Sequence, residues 1–128
     1  MGANADVVKS AWEGFRRQDL DTATANMDEA AETVLPSSLP WGGVYRGPDG
    51  FKEMVGQFMS QLEDFRPSPE AFLEAEGDHV VVPVSVEGQT TAANDFSDHV
   101  LWLYRLRDGK IVRAELFADT ASTLDAVR

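Results

Sequence analysis

The sequence lacks cysteine and is poor in basic residues. With no cysteine among 128 residues, disulfides, thiolate nucleophiles and Cys-ligated zinc or iron–sulfur sites are excluded. Lys and Arg number 11 against 22 Asp and Glu, a formal net charge of −11. Such a charge repels phosphate backbones and anionic lipid headgroups. We therefore expect neither nucleic acid nor a membrane as a partner.

Long apolar segments are missing as well. No run approaches the ~18 residues of a membrane helix, and the N-terminal MGANADVVKS lacks the basic stretch and apolar core of a signal peptide. Metal-ligand spacings, phosphate-binding glycine loops and serine nucleophile elbows are absent too. We therefore expect a cytoplasmic protein with no metal site.

The composition is that of a folded globular protein. Hydrophobic residues make up 43% and charged residues 26% of the chain, which is usual for globular domains. A length of 128 residues fits one domain and allows a core large enough to enclose a pocket. We interpret residues 1–128 as a single domain.

Helical patterns dominate the first half of the chain. Apolar residues at helical spacing predict three helices: residues 4–17, a short helix from Leu20 to about Met27 capped by Asp19, and a helix that starts at Gly47-Pro48 and buries the stripe beginning with Phe51. Glycine and proline over residues 36–50 predict a loop between the second and third helices.

Strand patterns dominate the second half. Period-two apolar residues predict a brief strand at 30–35 and then strands at 71–75, 80–86, 96–107 and 111–118. Asp108-Gly109 predicts a type I′ hairpin turn, because that turn requires positive φ at both central residues. Ala121, Leu124 and Val127 predict a short C-terminal helix. Helices segregated from a mostly antiparallel sheet make an α+β protein.

Local strings distributed along the chain carry a family resemblance. They are Phe15-Arg16-Arg17-Gln18-Asp19-Leu20, Leu39-Pro40-Trp41-Gly42-Gly43-Val44-Tyr45-Arg46-Gly47, Asp98-His99-Val100, Asp108-Gly109-Lys110-Ile111-Val112-Arg113 and Phe117-Ala118-Asp119-Thr120. With the order of elements, they resemble the SnoaL-like branch of polyketide cyclases and ketosteroid-isomerase relatives in the nuclear-transport-factor-2-like superfamily. The resemblance implies a cone-shaped, curved, mixed but mostly antiparallel sheet wrapped over three helices of the N-terminal half and enclosing a pocket.

The resemblance also implies a class of chemistry. Enzymes of this branch typically work without metal or organic cofactor, using an acid or base side chain in a dry cavity. Steroid isomerisation is not expected, because the positions of that enzyme's base, tyrosine and second oxyanion donor are held here by Val34 or Leu35, Ala11 and Leu101.

Asp119 is the predicted acid/base residue, because it matches the catalytic aspartate of the cyclase-like relatives. An apolar cavity raises the pKa of a carboxyl group by desolvation, which suits proton exchange with a carbon acid near neutral pH. His99 is a second candidate, since a histidine with a pKa of about 6.5 can share a proton with Asp119 across paired strands. The alternatives are a helix N-cap for Asp119 and a structural role for His99.

Six residues are predicted to bind substrate in the cavity: Trp12, Trp41, Tyr45, Leu101, Leu103 and Phe117. Trp41 and Tyr45 lie in the loop of residues 36–50, where burial of large rings is less easily explained by ordinary packing. The Tyr45 hydroxyl could also donate to a substrate carbonyl. Core packing is the alternative for the aromatic residues.

Strand alternation predicts two apolar faces for the strand at 96–107. One face carries His99, Leu101 and Leu103, and the other carries Trp102 and Tyr104. If one face lines the cavity, the other needs a cover, and we expect a second copy of the chain there. The sequence thus predicts a homodimer.

Three functional hypotheses follow. The first is a cofactor-independent acid/base enzyme of the polyketide cyclase or isomerase type, acting on a small apolar carbonyl-containing molecule. The second is a non-catalytic module that binds a hydrophobic small molecule. The third is a dimeric interaction domain whose cavity is filled by side chains.

Overall fold

The computed structural model describes residues 3–37, 42–90 and 95–117. Its helices are α1 (Ala3–Arg16), α2 (Leu20–Ala23) and α3 (Gly47–Met59). Its strands are β1 (Met27–Leu35), β2 (Gly43–Arg46), β3 (Leu62–Pro69), β4 (Leu73–Ala75), β5 (His79–Thr90), β6 (Asp95–Arg107) and β7 (Lys110–Phe117). The structure confirms the predicted α+β fold of three helices and a mostly antiparallel sheet.

The strands form one open sheet in the order β2-β1-β7-β6-β5-β3, and β4 pairs with β5. The pairing of β1 with β7 is parallel, and all the other pairings are antiparallel. Strand β5 pairs first with β4, up to Val81, and then with β3, from Val84 onwards. Pro83 lies between those two partners, where β5 changes neighbour.

The turn between β6 and β7 confirms the prediction from Asp108-Gly109. Both residues have positive φ, 53° at Asp108 and 77° at Gly109, as a type I′ turn requires. This turn sets the register that places Tyr104 opposite Ala114. A bulge lies close to the turn, because Leu106 pairs with Ile111 whereas Arg105 pairs with Arg113.

Helices α2 and α3 begin at the residues that the sequence predicts. Asp19 caps α2: its Oδ1 accepts a hydrogen bond from the Thr22 backbone N–H at 3.2 Å and its Oδ2 accepts one from the Thr22 hydroxyl at 2.6 Å. Helix α2 ends at Ala23, earlier than predicted, because Met27 already belongs to β1. Helix α3 has Pro48 in its first turn.

The sequence prediction missed two edge strands. Strand β2 lies in the segment predicted as a loop, and β3, which contains Pro67 and Pro69, lies before the first strand predicted for the second half of the chain. Both strands pair on one side only, and proline is tolerated at a sheet edge because no ladder hydrogen bond is needed there. The predicted C-terminal helix lies outside the described residues.

Two apolar clusters hold the helices on the sheet. The first joins Val8 and Trp12 of α1 to buried residues of the central strands, among them Val82 and Ile111. The second joins Met54 and Phe58 of α3 to Leu35 at the end of β1. Phe15 and Trp102 pack against both clusters and so connect them.

Candidate functional site

A cavity of about 360 Å³ lies between the helices and the sheet. Its volume is within the ~300–1,000 Å³ range of small-molecule sites. The helices contribute Ala11, Trp12, Phe15, Ala23, Phe51, Met54 and Phe58 to its wall, and the strands contribute Met27, Leu35, Leu62, Phe65, Val86, Val100, Trp102, Tyr104, Ile111, Ala114 and Leu116. The described wall is therefore almost wholly apolar.

Strand alternation determines which residues reach the cavity. On β6 the lining residues are Val100, Trp102 and Tyr104, every second position of the strand. On β7 they are Ile111, which lies beyond the bulge, and Ala114 and Leu116, which pair with Tyr104 and Trp102 respectively. The floor of the cavity is thus built from one face of two neighbouring strands.

Aromatic rings form one side of the cavity. Phe58 of α3 and Phe65 of β3 meet edge to face with ring centroids 5.3 Å apart. The ring centroid of Phe15 on α1 lies 6.3 Å from that of Phe58 and 6.4 Å from that of Phe65. Trp12 meets Phe15 edge to face at 5.9 Å. Such geometries are favourable for aromatic pairs and leave ring faces and edges for a flat ligand.

Two polar groups from opposite walls come close together in this apolar space. Trp12 and Tyr104 are only 8% and 9% exposed, and Trp12 Nε1 is out of reach of a water-sized molecule. Burial raises the pKa of Tyr104 above its ordinary value, and a hydrogen-bond interaction with the Trp12 side chain offsets that rise only in part. The indole N–H therefore faces the Tyr104 hydroxyl rather than the open cavity.

Acids, bases and metal sites are not found in the described wall. None of the lining residues in that part of the chain is Asp, Glu, His, Lys or Arg. Over the ranges 3–37, 42–90 and 95–117, no group of three or more Asp, Glu or His residues is placed to hold a metal ion. In the same ranges no helix is long and apolar enough to cross a membrane.

The predicted site residues fall into four groups. Trp12 lines the cavity, and its contact with a substrate stays a prediction. Tyr45 lies on β2 and packs, partly buried, against the cluster of Leu35, Met54 and Phe58 rather than lining the cavity. Asp119 and Trp41 lie outside the described residues, so the roles predicted for them stay predictions.

The remaining four predicted residues lie on the outer face of the sheet. His99, Leu101 and Leu103 alternate with the lining residues of β6, and Phe117 alternates with Leu116 of β7. None of the four is among the described residues that line the cavity, because a side chain one position along a strand points to the opposite face. His99 is exposed, with Nδ1 3.2 Å from the Ser85 hydroxyl.

Charged residues occupy part of that outer face. Arg113 bonds Glu32 of β1 at 3.1 Å and Glu115 of its own strand at 3.3 Å. Arg46 of β2 reaches the other carboxylate oxygen of Glu32 at 3.2 Å. All four side chains are partly exposed, so these pairs contribute little stability. They do keep the charge of these strands away from the cavity.

Tyr104 and Trp102 are the cavity residues that the sequence prediction placed on the wrong face. Their rings stack with centroids 6.1 Å apart and an interplanar angle of 28°. The signal that could have found them is the pairing of two large aromatic residues on one strand face. A cavity among aromatic helical residues such as Phe15 and Phe58 is a better environment for such rings than solvent.

A domain of three helices packed on an open, mostly antiparallel sheet, with an apolar cavity between them, is the nuclear-transport-factor-2-like fold. Residues 8–114 match the SnoaL-like domain, and the chain belongs to that family. Among curated proteins, none matches the chain significantly.

Solved structures agree over almost the whole chain. An NTF2-like protein of unknown function from Burkholderia pseudomallei is 22% identical, with a TM-score of 0.84 over 99% of this chain and 98% of its own. TerC, co-crystallised with polyporic acid, is 26% identical, with a TM-score of 0.84 over 98% of both chains. A protein of unknown function with a cystatin-like fold from Xanthomonas campestris is 25% identical, with a TM-score of 0.79 over 97% of this chain and 96% of its own.

Proposed function

We propose that this protein binds a small, apolar, carbonyl-containing molecule in its cavity and acts on it by cofactor-independent acid/base chemistry of the polyketide cyclase or isomerase type. The observation that carries the binding part is the cavity of about 360 Å³ with its apolar wall. Apolar walls with few polar groups are typical of sites for hydrophobic small molecules.

The size and shape of the wall narrow the ligand class. Rings of Trp12, Phe15, Phe58 and Phe65 lie 5.3–6.4 Å apart along one side, which favours contact with a flat aromatic body. The co-crystallisation of TerC with polyporic acid supports an organic ligand of this kind. We expect molecules of two or three rings to fit.

The catalytic part rests on Asp119, the residue that resembles the acid/base of the cyclase-like relatives. In the proposed step the Asp119 carboxylate accepts a proton from the carbon next to the ligand carbonyl, the C–H electrons form the enolate, and the proton is later returned to carbon. An acid/base residue in an apolar site exchanges such a proton near neutral pH when desolvation raises its pKa.

A non-catalytic binding module is the second candidate function. It is favoured by one observation, the lack of any acid or base among the lining residues of the described part of the chain. The two candidates share the ligand and differ only in whether a proton moves. An assay that measures binding and proton exchange separately therefore distinguishes them.

The experiment uses 1-tetralone, a bicyclic ketone with exchangeable protons next to its carbonyl. Affinity is measured by quenching of tryptophan fluorescence, since Trp12 and Trp102 both line the cavity. Exchange of the ketone's protons in D₂O is measured by NMR. The enzyme proposal expects binding and accelerated exchange in the wild type, and binding without exchange in Asp119→Asn.

The controls separate the outcomes. Leu73→Ala changes a residue that is 53% exposed on β4, and it is expected to leave affinity and exchange unchanged. Binding with no accelerated exchange in the wild type would move the assignment to the binding module. A wild type that binds neither 1-tetralone nor polyporic acid would contradict both candidates.

A further inference from the structure

Two neighbouring strands order the cavity wall from one end to the other. Along β6 the lining residues run from Val100 to Tyr104, and along the antiparallel β7 they run in the same direction from Leu116 to Ile111. Met27, the register partner of Ile111 on β1, lies at the same end as Tyr104. We refer to the two ends of the cavity as the Val100 end and the Tyr104 end.

Burial differs between the two ends. The lining residues at the Tyr104 end are only 2–9% exposed although they border the cavity: Trp12, Ala23, Met27, Tyr104 and Ile111. The lining residues at the Val100 end are half-buried: Leu62, Phe65, Val86, Val100 and Leu116. Within the described part of the chain, a ligand therefore reaches the cavity from the Val100 end.

Packed side chains lie behind the Tyr104 end. Val80 is the register partner of Tyr104 on β5, Leu106 follows Tyr104 on the same face of β6, and Val8 precedes Trp12 by one turn of α1. These three residues are 0–2% exposed and belong to the same cluster as Trp12 and Tyr104, but they do not line the cavity. The Trp12 and Tyr104 side chains therefore separate the cavity from packed core.

The pair of Trp12 and Tyr104 is held in position. The Trp12 indole N–H faces the Tyr104 hydroxyl and is out of reach of a water-sized molecule. Trp12 meets Phe15 edge to face at 5.9 Å, and Tyr104 stacks on Trp102 at 6.1 Å. Because close-packed rings on a helix and a strand have little room to move, a ligand meets this pair as a fixed wall.

The polarity of the Tyr104 end determines which end of a ligand enters first. Among the described lining residues there, nitrogen and oxygen occur only in the side chains of Trp12 and Tyr104, and these two polar groups face each other. A carbonyl oxygen placed at that end would give up its hydrogen bonds with water without replacement, which is costly. Strand β7 leads from Ile111 towards the Val100 end, and Asp119 comes after that end in the sequence.

We infer that the Trp12–Tyr104 pair closes the cavity at one end and sets the maximum length of the ligand, which binds with its apolar end against the pair and its carbonyl at the Val100 end. The inference deepens the proposed function and rests on it, because it requires an apolar carbonyl compound in the cavity. It assigns selection by length to two residues, of which only Trp12 was predicted to touch the ligand.

The test uses a series of para-alkylacetophenones, from acetophenone to para-octylacetophenone, in which the carbonyl lies at one end of the molecule and the alkyl chain at the other. Dissociation constants for the full chain are measured by equilibrium dialysis. We expect the affinity of the wild type to rise about fourfold for each added carbon. The rise should stop when the alkyl chain reaches the pair, and longer members should bind more weakly because they overfill the cavity.

Tyr104→Leu shortens the wall at the closed end. It removes about four non-hydrogen atoms, and the longest alkyl chain that still gains affinity should lengthen by about two to three carbons, because the wall relaxes into part of the space. Trp12→Leu should lengthen it similarly and provides the same test if Tyr104→Leu does not fold, as judged by circular dichroism. Tyr104→Phe keeps the ring and should keep the length limit of the wild type.

Phe65→Leu is the matched control, because it also replaces an aromatic ring of the wall by leucine but does so at the half-buried Val100 end. It should change the affinity for every member of the series by a similar factor and leave the length limit unchanged. Acetophenone, the shortest member, is the internal control for a folded cavity in each variant.

An affinity that rises through the whole series in the wild type would overturn the inference, as would an unchanged length limit in folded Tyr104→Leu or Trp12→Leu. A limit that moves as far in Phe65→Leu as in Tyr104→Leu would place the constraint at the other end and also overturn it. Failure of the wild type to bind any member would contradict the proposed function, whereas binding without a length limit would contradict this inference alone.

Discussion

Substituting a small residue of the cavity wall by a larger one tests whether the cavity is open to a ligand. Ala114 is 4% exposed, lines the cavity, and pairs with Tyr104 on β6 and with Thr33 on β1. Ala114→Leu adds three carbons at this position. At ~0.8 kcal/mol for each buried carbon, less ~0.5–1 kcal/mol for the ordering of the leucine side chain, the variant should gain about 1.5 kcal/mol of unfolding free energy.

The matched control is Ala31→Leu. Ala31 is 1% exposed on β1 and does not line the cavity, so the same added carbons meet packed neighbours. Overpacking of this kind costs about 1–3 kcal/mol. The same substitution is thus expected to stabilise the protein at one buried alanine and to destabilise it at the other.

Thermal and urea denaturation measure the two effects. For a domain of this length, 1.5 kcal/mol corresponds to a shift in Tm of about 5 °C. We expect Ala114→Leu to raise Tm and Ala31→Leu to lower it, and Ala114→Leu to lose the Tm increase that saturating 1-tetralone gives the wild type. If Ala114→Leu lowers Tm as much as Ala31→Leu does, the space beside Ala114 is already filled, and the filled interaction domain becomes the better hypothesis.

Three further predictions concern other parts of the chain. Asp119→Asn should abolish proton exchange with unchanged Tm; if Asp119 is only a helix cap, exchange should persist, because Asn caps as well as Asp. The Thr22 hydroxyl and backbone N–H hold the pKa of Asp19 below its ordinary value. The contribution of Asp19 to stability is therefore present at neutral pH and lost as pH falls through the acid range. Between about pH 5 and pH 3, the urea midpoint of Asp19→Asn should fall less than that of the wild type. Sedimentation should give a mass twice the 14.1 kDa of one chain. We expect the second copy on the outer face, where Leu101 and Phe117 are register partners. A monomer at micromolar concentration would contradict the homodimer.

Elements with strong local signals could be predicted from the sequence. The helix over residues 4–17 was found because its apolar residues recur on one helical face, and α1 spans Ala3–Arg16. The Asp108-Gly109 turn was found because few residues tolerate positive φ. In both cases the physical cause lies within a short stretch of chain, which is why no knowledge of the tertiary structure was needed.

Elements whose form depends on the rest of the sheet could not be predicted. Strand β3 contains Pro67 and Pro69, and nothing local indicates that it lies at a sheet edge, where those prolines are harmless. Strand β2 pairs with β1 alone, and its glycine-rich surroundings favour a loop. In both cases the partner strand, rather than local propensity, determines the structure.

Which face of β6 lines the cavity also could not be predicted from the sequence alone. Alternation correctly divided the strand into a face with Leu101 and Leu103 and a face with Trp102 and Tyr104. Because both faces are apolar, the sequence did not show which of them lines the cavity, and the face with Leu101 and Leu103 was chosen. The homodimer was argued from exposure of Trp102 and Tyr104, and that argument no longer holds, because both rings line the cavity. The homodimer stays a prediction, and we expect the second copy at Leu101 and Phe117, which are half-buried on the outer face.

The contact of Trp12 with Tyr104 could not be found from the sequence for a related reason. Trp12 was placed in the wall because of its aromatic ring, and nothing in the helix indicates which polar group meets its indole N–H. That group is on β6, far away in the chain, and it reaches Trp12 because the Asp108-Gly109 turn and the nearby bulge set the register that puts Tyr104 beside Ala114. The composition of the cavity wall therefore depends on strand register: a shift of β6 by one residue would turn Trp102 and Tyr104 to the outer face, and a variant with that shift should lose the affinity for 1-tetralone that we expect of the wild type.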